Sequence, residues 1–214
     1  MILGSLRAIG LAQRLLFQII DTMIFISIGP IPVKKIILTL TSLIFLSSIS
    51  CFADSIYFTV KSTPYDRQMN RIQPVLFSKP ATASRDLSLK IVNQWIGDLR
   101  DIPYGFSAEW KTPAEVESEP FADCKGKAVV LYQRMLAHGA ENLRLVIGRR
   151  SPMSRRSHAW LEWATGSGTY VLDPTINWTA CRTDHVGRGA YVPFYAYSGS
   201  RKFRAVTASL FAVN

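Results

Sequence analysis

Around Gly139 the hydrophobic pattern of this chain changes period, and that change constrains the fold more than any other feature of the sequence. Ahead of it, in "DCKGKAVVLYQRMLAHG", Ala128, Leu131, Tyr132, Met135 and Leu136 fall at i, i+3, i+4, i+7 and i+8, the spacing of one helical face. Behind it the spacing becomes two. "NLRLVIG" alternates Leu143, Leu145 and Ile147, and "SHAWLEWAT" sets His158, Trp160 and Glu162 against Ala159, Leu161 and Trp163. "GSG" at 166–168 is a turn signal, "TYVLDPT" is the returning strand, and "AYVPFYAYS" and "FRAVTASLFAV" read as two further strands. A buried helix followed by several antiparallel strands is an α+β layout.

The helix has readable ends. Asp123 suits the N-cap better than Ala122, and Gly139 stops the helix, so it runs over about 124–138 with Cys124 in its first turn. Upstream, Leu87, Ile91, Trp95 and Leu99 recur at helix spacing, with Asp86 or Ser84 as cap. "PYGFSAEWKTPAEVESEPF" is a loop in which Thr112 caps a short turn that has Pro113 at its first position. Residues 54–86 form a lead-in with Pro64, Pro74 and Pro80, and residues 87–214 form the main domain.

The N-terminal quarter reads as a targeting segment. "VKKIILTLTSLIFLSSISCFADS" has two lysines, an apolar run and small residues up to Ala53, which is the layout of a secretory signal cleaved after that alanine. The apolar run spans about 15 residues and holds several Ser and Thr, short of the roughly 20 that a spanning helix needs. A lipoprotein signal is disfavoured, because "SSISC" has no Leu or Val three residues before Cys51. A signal preceded by another hydrophobic arm points to a translation start at Met23 or Val33, which makes the region before it an extension. An uncleaved anchor is the lesser alternative, so the protein is expected in the periplasm or outside the cell.

Loss of residues 1–53 removes Arg7, Arg14, Lys34, Lys35 and Asp21 and lowers the formal net charge from +10 to +7. A basic balance attracts polyanions, yet no nucleic-acid motif accompanies it and the export signal conflicts with such a partner. Hydrophobic residues make up 48% of the chain, enough for a core, so disorder is excluded. Cys124 and Cys181 remain after cleavage. In an exported protein they form either a disulfide or a working thiol and a structural one.

Sequence spacing does not choose between them, and helix position makes the second physically reasonable. Unpaired N–H groups and the helix dipole stabilise a thiolate at an N-terminus. A histidine would serve as base and ion-pair partner, and a carboxylate would orient it. His138, near a helix C-terminus, and His185, in the polar loop "CRTDHVGRG", read as capping or surface residues. His158 lies on a strand whose returning partner carries Asp173. A two-residue turn at 165–166 pairs the two directly, and a turn centred on 166–168 shifts them by about three positions.

Three blocks, "DCKGKAVVLYQRMLAHG", "SHAWLEW" and "YVLDPT", resemble in order and separation the Cys, His and Asp motifs of the transglutaminase-like superfamily, over about residues 87–178. "YGFSAEWKTPAEV" is similar to the corresponding segment of its bacterial cysteine peptidases, which are exported enzymes. The resemblance implies a transglutaminase-like (papain-like) core, with N-terminal helices and the cysteine helix packed on an antiparallel sheet. It also implies a Cys124–His158–Asp173 triad acting on peptide or protein amides. The Cys124 N–H would be one oxyanion donor, with the second among Tyr104, Trp110 and Trp95.

The alternatives are protein-glutamine acyl transfer, or a non-catalytic module that binds envelope polymers. The expected partner is a protein or peptide, such as a cell-surface protein, with the membrane met only through the signal segment. Calcium-dependent members carry acids on both sides of the cysteine. Here Lys125 and Gly126 follow it, so the expectation is a site with no metal and no cofactor.

Lys125 and Lys127 either help hold a thiolate or are solvated helix-start lysines. "GRRSPMSRRSH" packs four arginines before His158, as a flap selecting acidic substrates or surface polyanions, or as a solvated connection. Glu162 is expected to pair with an arginine, and Cys181 to be structural, with no bond to Cys124.

Overall fold

The structure is a computed structural model and describes residues 56–82, 87–187 and 189–206. The segment 1–53 read as an export signal and extension lies outside the described residues, as do Ser84 and Asp86. Strand β1 is Ile56–Val60, followed by the short helices α1 (Asp66–Met69) and α2 (Gln73–Leu76). Helices α3 (Leu89–Asp101), α4 (Pro113–Ser118) and α5 (Cys124–Ala137) come next. Strands β2 (Leu143–Arg149), β3 (His158–Thr165), β4 (Gly168–Leu172), β5 (Cys181–Arg182), β6 (Val192–Ser198) and β7 (Arg201–Val206) complete the chain. The architecture is mixed helix and antiparallel sheet, as the change of period predicts.

Helix α5 forms because both of its ends are closed. Asp123 Oδ1 accepts the Gly126 N–H at 3.1 Å, and Gly139 takes the left-handed conformation (φ 83°) after the C-cap His138. Ala128, Leu131, Tyr132, Met135 and Leu136 are buried, as their spacing requires. Gly126 has a packing role as well. A Cβ there would lie 2.8 Å from Val116 Cγ2, so its absence lets α4 approach α5. Helix α4 carries a full capping box, in which Glu115 N–H donates to Thr112 Oγ1 and Thr112 N–H donates to Glu115 Oε2.

Helix α3 is capped by Ser88. Its fully buried row is Val92, Ile96 and Leu99, one position round from the Leu87–Ile91–Trp95–Leu99 row of the sequence. Leu87, Ile91 and Trp95 are half-buried flanks, and the Trp95 ring meets His138 at 4.7 Å. The apolar stripe is wider than one row, and the row nearest the core sinks deepest.

The seven strands run in the order β1-β7-β6-β2-β3-β4-β5, and every pairing is antiparallel. Residues 56–76, within the lead-in, thus supply an edge strand and two helices of this fold. The face toward α5 carries Leu143, Leu145, Ile147, Ala159, Leu161 and Leu172. The opposite face carries Val146, Trp160, Val171, Ala196 and Phe203, so both faces of the central strands are covered. Burying a large aliphatic side chain contributes about 1.5–3 kcal/mol. The helix-side cluster is by far the larger and holds the layers together.

Candidate functional site

Cys124 is the first residue of α5 and is 7% exposed. Its neighbour Asp123 is tied down from several sides. Asp123 Oδ2 accepts the Ser107 N–H at 3.2 Å and the Lys125 ammonium, which also donates to the Ser107 carbonyl at 2.8 Å. The loop ahead of α5 is pinned further where Ala122 N–H donates to Pro103 O and Gly105 N–H to Ala122 O. Cys124 therefore starts a helix whose entry is fixed by side-chain and backbone bonds. It opens onto a cavity of about 640 Å³ that His158, Tyr104 and Trp110 also line.

His158 begins β3. The β3–β4 turn is the two-residue loop Gly166–Ser167, with Thr165 paired to Gly168 and Leu161 to Leu172. That register lies between the two expected from sequence and sets Asp173 just beyond β4. Across this offset the His158 Nε2–H donates to Asp173 Oδ2 at 2.7 Å. Asp173 is fully buried, and its carboxylate also accepts the Tyr191 hydroxyl at 2.9 Å and the Thr175 N–H at 3.0 Å. Burial alone would raise the Asp173 pKa, but these donors and the imidazole hold it below the ordinary carboxylate value.

Cys124 lies close enough to the imidazole to act on its titration. Since Nε2 is taken by Asp173, Nδ1 is the ring nitrogen left for a reacting group. Burial pushes the His158 pKa down, yet the hydrogen bonds to Asp173 and Cys124 and their charges overcome it and raise it to about 9. Cys124 of α5 and His158 of β3 thus share one cavity wall, and Asp173, just beyond β4, is bonded to the imidazole away from the cavity.

The other expectations fare differently. Trp110 is buried at the cavity, but its indole N–H donates to Gln68 Oε1 at 3.3 Å and is not left for an oxyanion. Tyr104 stands 58% exposed at the rim. Its phenol pKa is raised by burial first and then by the Cys124 and Asp123 charges, with Arg156 opposing. Trp95 packs beside His138, whose Nδ1 lies 2.8 Å from the Arg134 carbonyl, a capping role.

Neither lysine is solvated. Lys125 bridges Asp123 and Ser107, and Lys127 is 2% exposed, its ammonium donating to the Arg100 and Ile102 carbonyls at 3.2 and 2.6 Å. Lys127 thereby satisfies carbonyls at the C-terminal end of α3. Glu162 accepts the Tyr57 hydroxyl at 2.8 Å and stands opposite Arg144 in the β2–β3 register. Cys181 is a free thiol on β5, as Cys124 is on α5. His185 lies in an exposed turn.

Two contributors have no sequence signal. Tyr191 has φ 57° and belongs to no repeating pattern, yet its hydroxyl reaches Asp173 and its ring meets Trp160 edge-on at 5.2 Å. Gln68 sits in the short helix α1, whose four residues are too few to show a period, and lines the cavity beside Trp110.

The mixed helix and antiparallel-sheet fold has counterparts among solved structures. That of Legionella pneumophila LapG is similar at 17% identity and a TM-score of 0.50, covering 69% of this chain and 82% of that one. An EGTA-treated form of LapG is similar at 17% identity and a TM-score of 0.49, covering 67% and 77%. The calcium-bound form stands at 16% and 0.45, covering 63% and 74%. No family model and no curated protein matches the sequence.

The calcium-bound and EGTA-treated structures correct one expectation. Calcium is relevant to LapG, so the conclusion from Lys125 and Gly126 that the site takes no cofactor does not stand. That conclusion counted only acidic side chains beside Cys124, whereas calcium also takes backbone carbonyls and water. Among the described residues no group of three or more His, Cys, Asp or Glu is placed to hold a metal, and the Asp123 carboxylate and Ser107 carbonyl converge on the Lys125 ammonium. Also among the described residues, no helix is long and apolar enough to cross a membrane.

Proposed function

We propose that this chain is an exported thiol hydrolase that cleaves peptide or protein amide bonds through Cys124, His158 and Asp173. One observation carries the reading. An imidazole that shares a cavity wall with a helix-start cysteine donates at 2.7 Å to a fully buried carboxylate, and the cavity is large enough for a peptide segment. The imidazole is protonated at neutral pH, since its pKa is raised to about 9, and so places a positive charge beside Cys124 that favours the thiolate as nucleophile.

The Cys124 thiolate attacks the amide carbonyl, forming the C–S bond and moving the carbonyl π pair onto oxygen. N–H groups of the first helical turn have no intrahelical partner. Asp123 takes that of Gly126, which leaves the Cys124 N–H to meet the oxyanion. As the C–N bond breaks, His158 passes its Nδ1 proton to the departing amine, leaving an acyl thioester. His158 then takes a proton from water, the hydroxide displaces the thiolate, and the acid leaves. Asp173 keeps the proton on Nε2 throughout, so Nδ1 is the face that gives and takes.

Export rests on the signal layout of residues 33–53, and the substrate is proposed to be a protein of the cell surface or periplasm. The test combines iodoacetamide labelling of Cys124 across pH with comparison of secreted and surface proteins between wild type and Cys124→Ala. The expected results are labelling well below pH 8 and loss of processing of at least one surface protein. Labelling only above pH 8, with identical protein profiles, would refute the reading.

A further inference from the structure

The loop between β2 and β3 is the part of the cavity that the mechanism does not use. Arg155 and Arg156 line the cavity together with Cys124 and His158. They stand three and two residues ahead of His158, so their backbone cannot drift far from the imidazole. The loop is also tied down at its other end. Tyr191 N–H donates to Arg150 O at 2.8 Å, and Ser154 N–H donates to Ser151 O at 3.0 Å with the two hydroxyls 3.0 Å apart.

Among the described residues, neither guanidinium has an ion-pair partner. The other charges at the cavity cancel. Lys125 is neutralised by Asp123, and the imidazolium by Asp173. What remains is the charge of two arginines facing the reacting centre.

Part of the rim is also apolar and open. Tyr104 is 58% and Phe106 73% exposed, a large aromatic surface to leave in water beside a site. Aromatic anchors beside a positive rim suit an extended peptide with apolar and acidic side chains.

We propose that the cavity selects peptide segments carrying a carboxylate side chain within a few residues of the scissile amide, with Arg155 and Arg156 as the specificity-determining residues. This rests on the thiol-hydrolase reading and adds a substrate class to it. The arginines act by charge at an exposed rim, so each pairing is worth a few-fold, and the two together about tenfold in kcat/KM. Rising salt should erode that preference.

The experiment uses the full chain and two probes of equal size, iodoacetate and iodoacetamide. In each case the Cys124 thiolate displaces iodide and forms a thioether, so only the charge of the reagent differs. In the double variant Arg155→Gln/Arg156→Gln, the ratio of the iodoacetate to the iodoacetamide rate on Cys124 is expected to fall roughly tenfold relative to wild type. Arg201→Gln, which removes a charge from β7, should leave the ratio alone. Paired internally quenched peptides that differ only in Asp against Asn beside the cleaved bond should show the same change in the ratio of kcat/KM.

A ratio that is unchanged in the double variant, or that falls equally in Arg201→Gln, overturns the proposal while leaving the hydrolase reading intact. Failure of either reagent to label Cys124 faster than Cys181 refutes the hydrolase reading, and the proposal falls with it.

Discussion

Replacement of Asp173 by asparagine keeps the shape of the side chain and removes its charge. In the wild type, burial lowers the His158 pKa, and the bonds and charges of Asp173 and Cys124 reverse this and bring it to about 9 from the ordinary 6.5. A shift of that size corresponds to about 3 kcal/mol of preference for the imidazolium. In Asp173→Asn the buried anion is gone, and the His158 pKa should fall by at least one unit, toward or below 6.5. The amide introduces a second fault. Its NH₂ group donates to Nε2 and drives the proton to Nδ1, so the neutral ring can no longer accept from the thiol. Together these should lower kcat by a factor of about 10² to 10⁴ near pH 8.

The assay is the pH dependence of kcat/KM on a quenched peptide that the wild type cleaves, alongside NMR titration of the imidazole C–H signals. The sequence has only three histidines, so His138 and His185 variants assign the spectrum. The wild-type activity should fall off on the alkaline side near pH 9, and that limb should move to lower pH in Asp173→Asn.

Stability follows the same titration. A histidine whose pKa rises on folding stabilises the protein fully below the unfolded value of about 6.5, and the contribution is lost as pH rises through about 9. Thermal stability of the wild type should therefore drop between those pH values, and by less in Asp173→Asn. A His158 signal that still titrates near 9 in the variant would refute the assignment of the shift to Asp173.

Three further variants probe the support around the site. Tyr191→Phe removes one of the three donors to the Asp173 carboxylate, and kcat should fall about threefold to tenfold with KM little changed, since a hydrogen bond to a charged group is worth about 1.5–3 kcal/mol and two donors remain. An unchanged kcat would show that the Tyr191 bond is idle. Gly148→Ala would place a Cβ 2.2 Å from Val192 O and 2.7 Å from Pro193 Cα, and neither backbone atom can turn aside. Urea denaturation should show a loss of about 3 kcal/mol. Lys127→Met leaves the Arg100 and Ile102 carbonyls without their donor, and the same measurement should show a loss of about 2–4 kcal/mol; an unmoved midpoint would mean that water replaces the ammonium.

The parts of the fold legible in the sequence are those where local chemistry and long-range packing agree. Asp123 and Gly139 bound α5 to within a residue, because an N-cap and a left-handed stop act on their own neighbours. Strands β2 and β3 show alternation because their two faces meet different clusters. The β3–β4 register could be bracketed only, since it depends on which two residues the turn selects. Strand β1 has no clean alternation of burial, and α1 and α2 are too short for a helical period, so 56–76 reads as a lead-in until the sheet is seen.

At the site, the Cys124, His158 and Asp173 motifs could be found from sequence, whereas Tyr191 reaches Asp173 through tertiary packing alone. Trp110 was visible as an indole near the cysteine. That its N–H is already spent on Gln68 is a fact of three-dimensional neighbours.

The pairing of β1 with β7 has a consequence for the order in which this molecule can be made. Ile56 meets Val206 and Val60 meets Lys202, so the first described strand waits for the last. Contacts so far apart in sequence are slow to form. A chain emerging from the ribosome has no partner for β1 until residues 202–206 have followed it out.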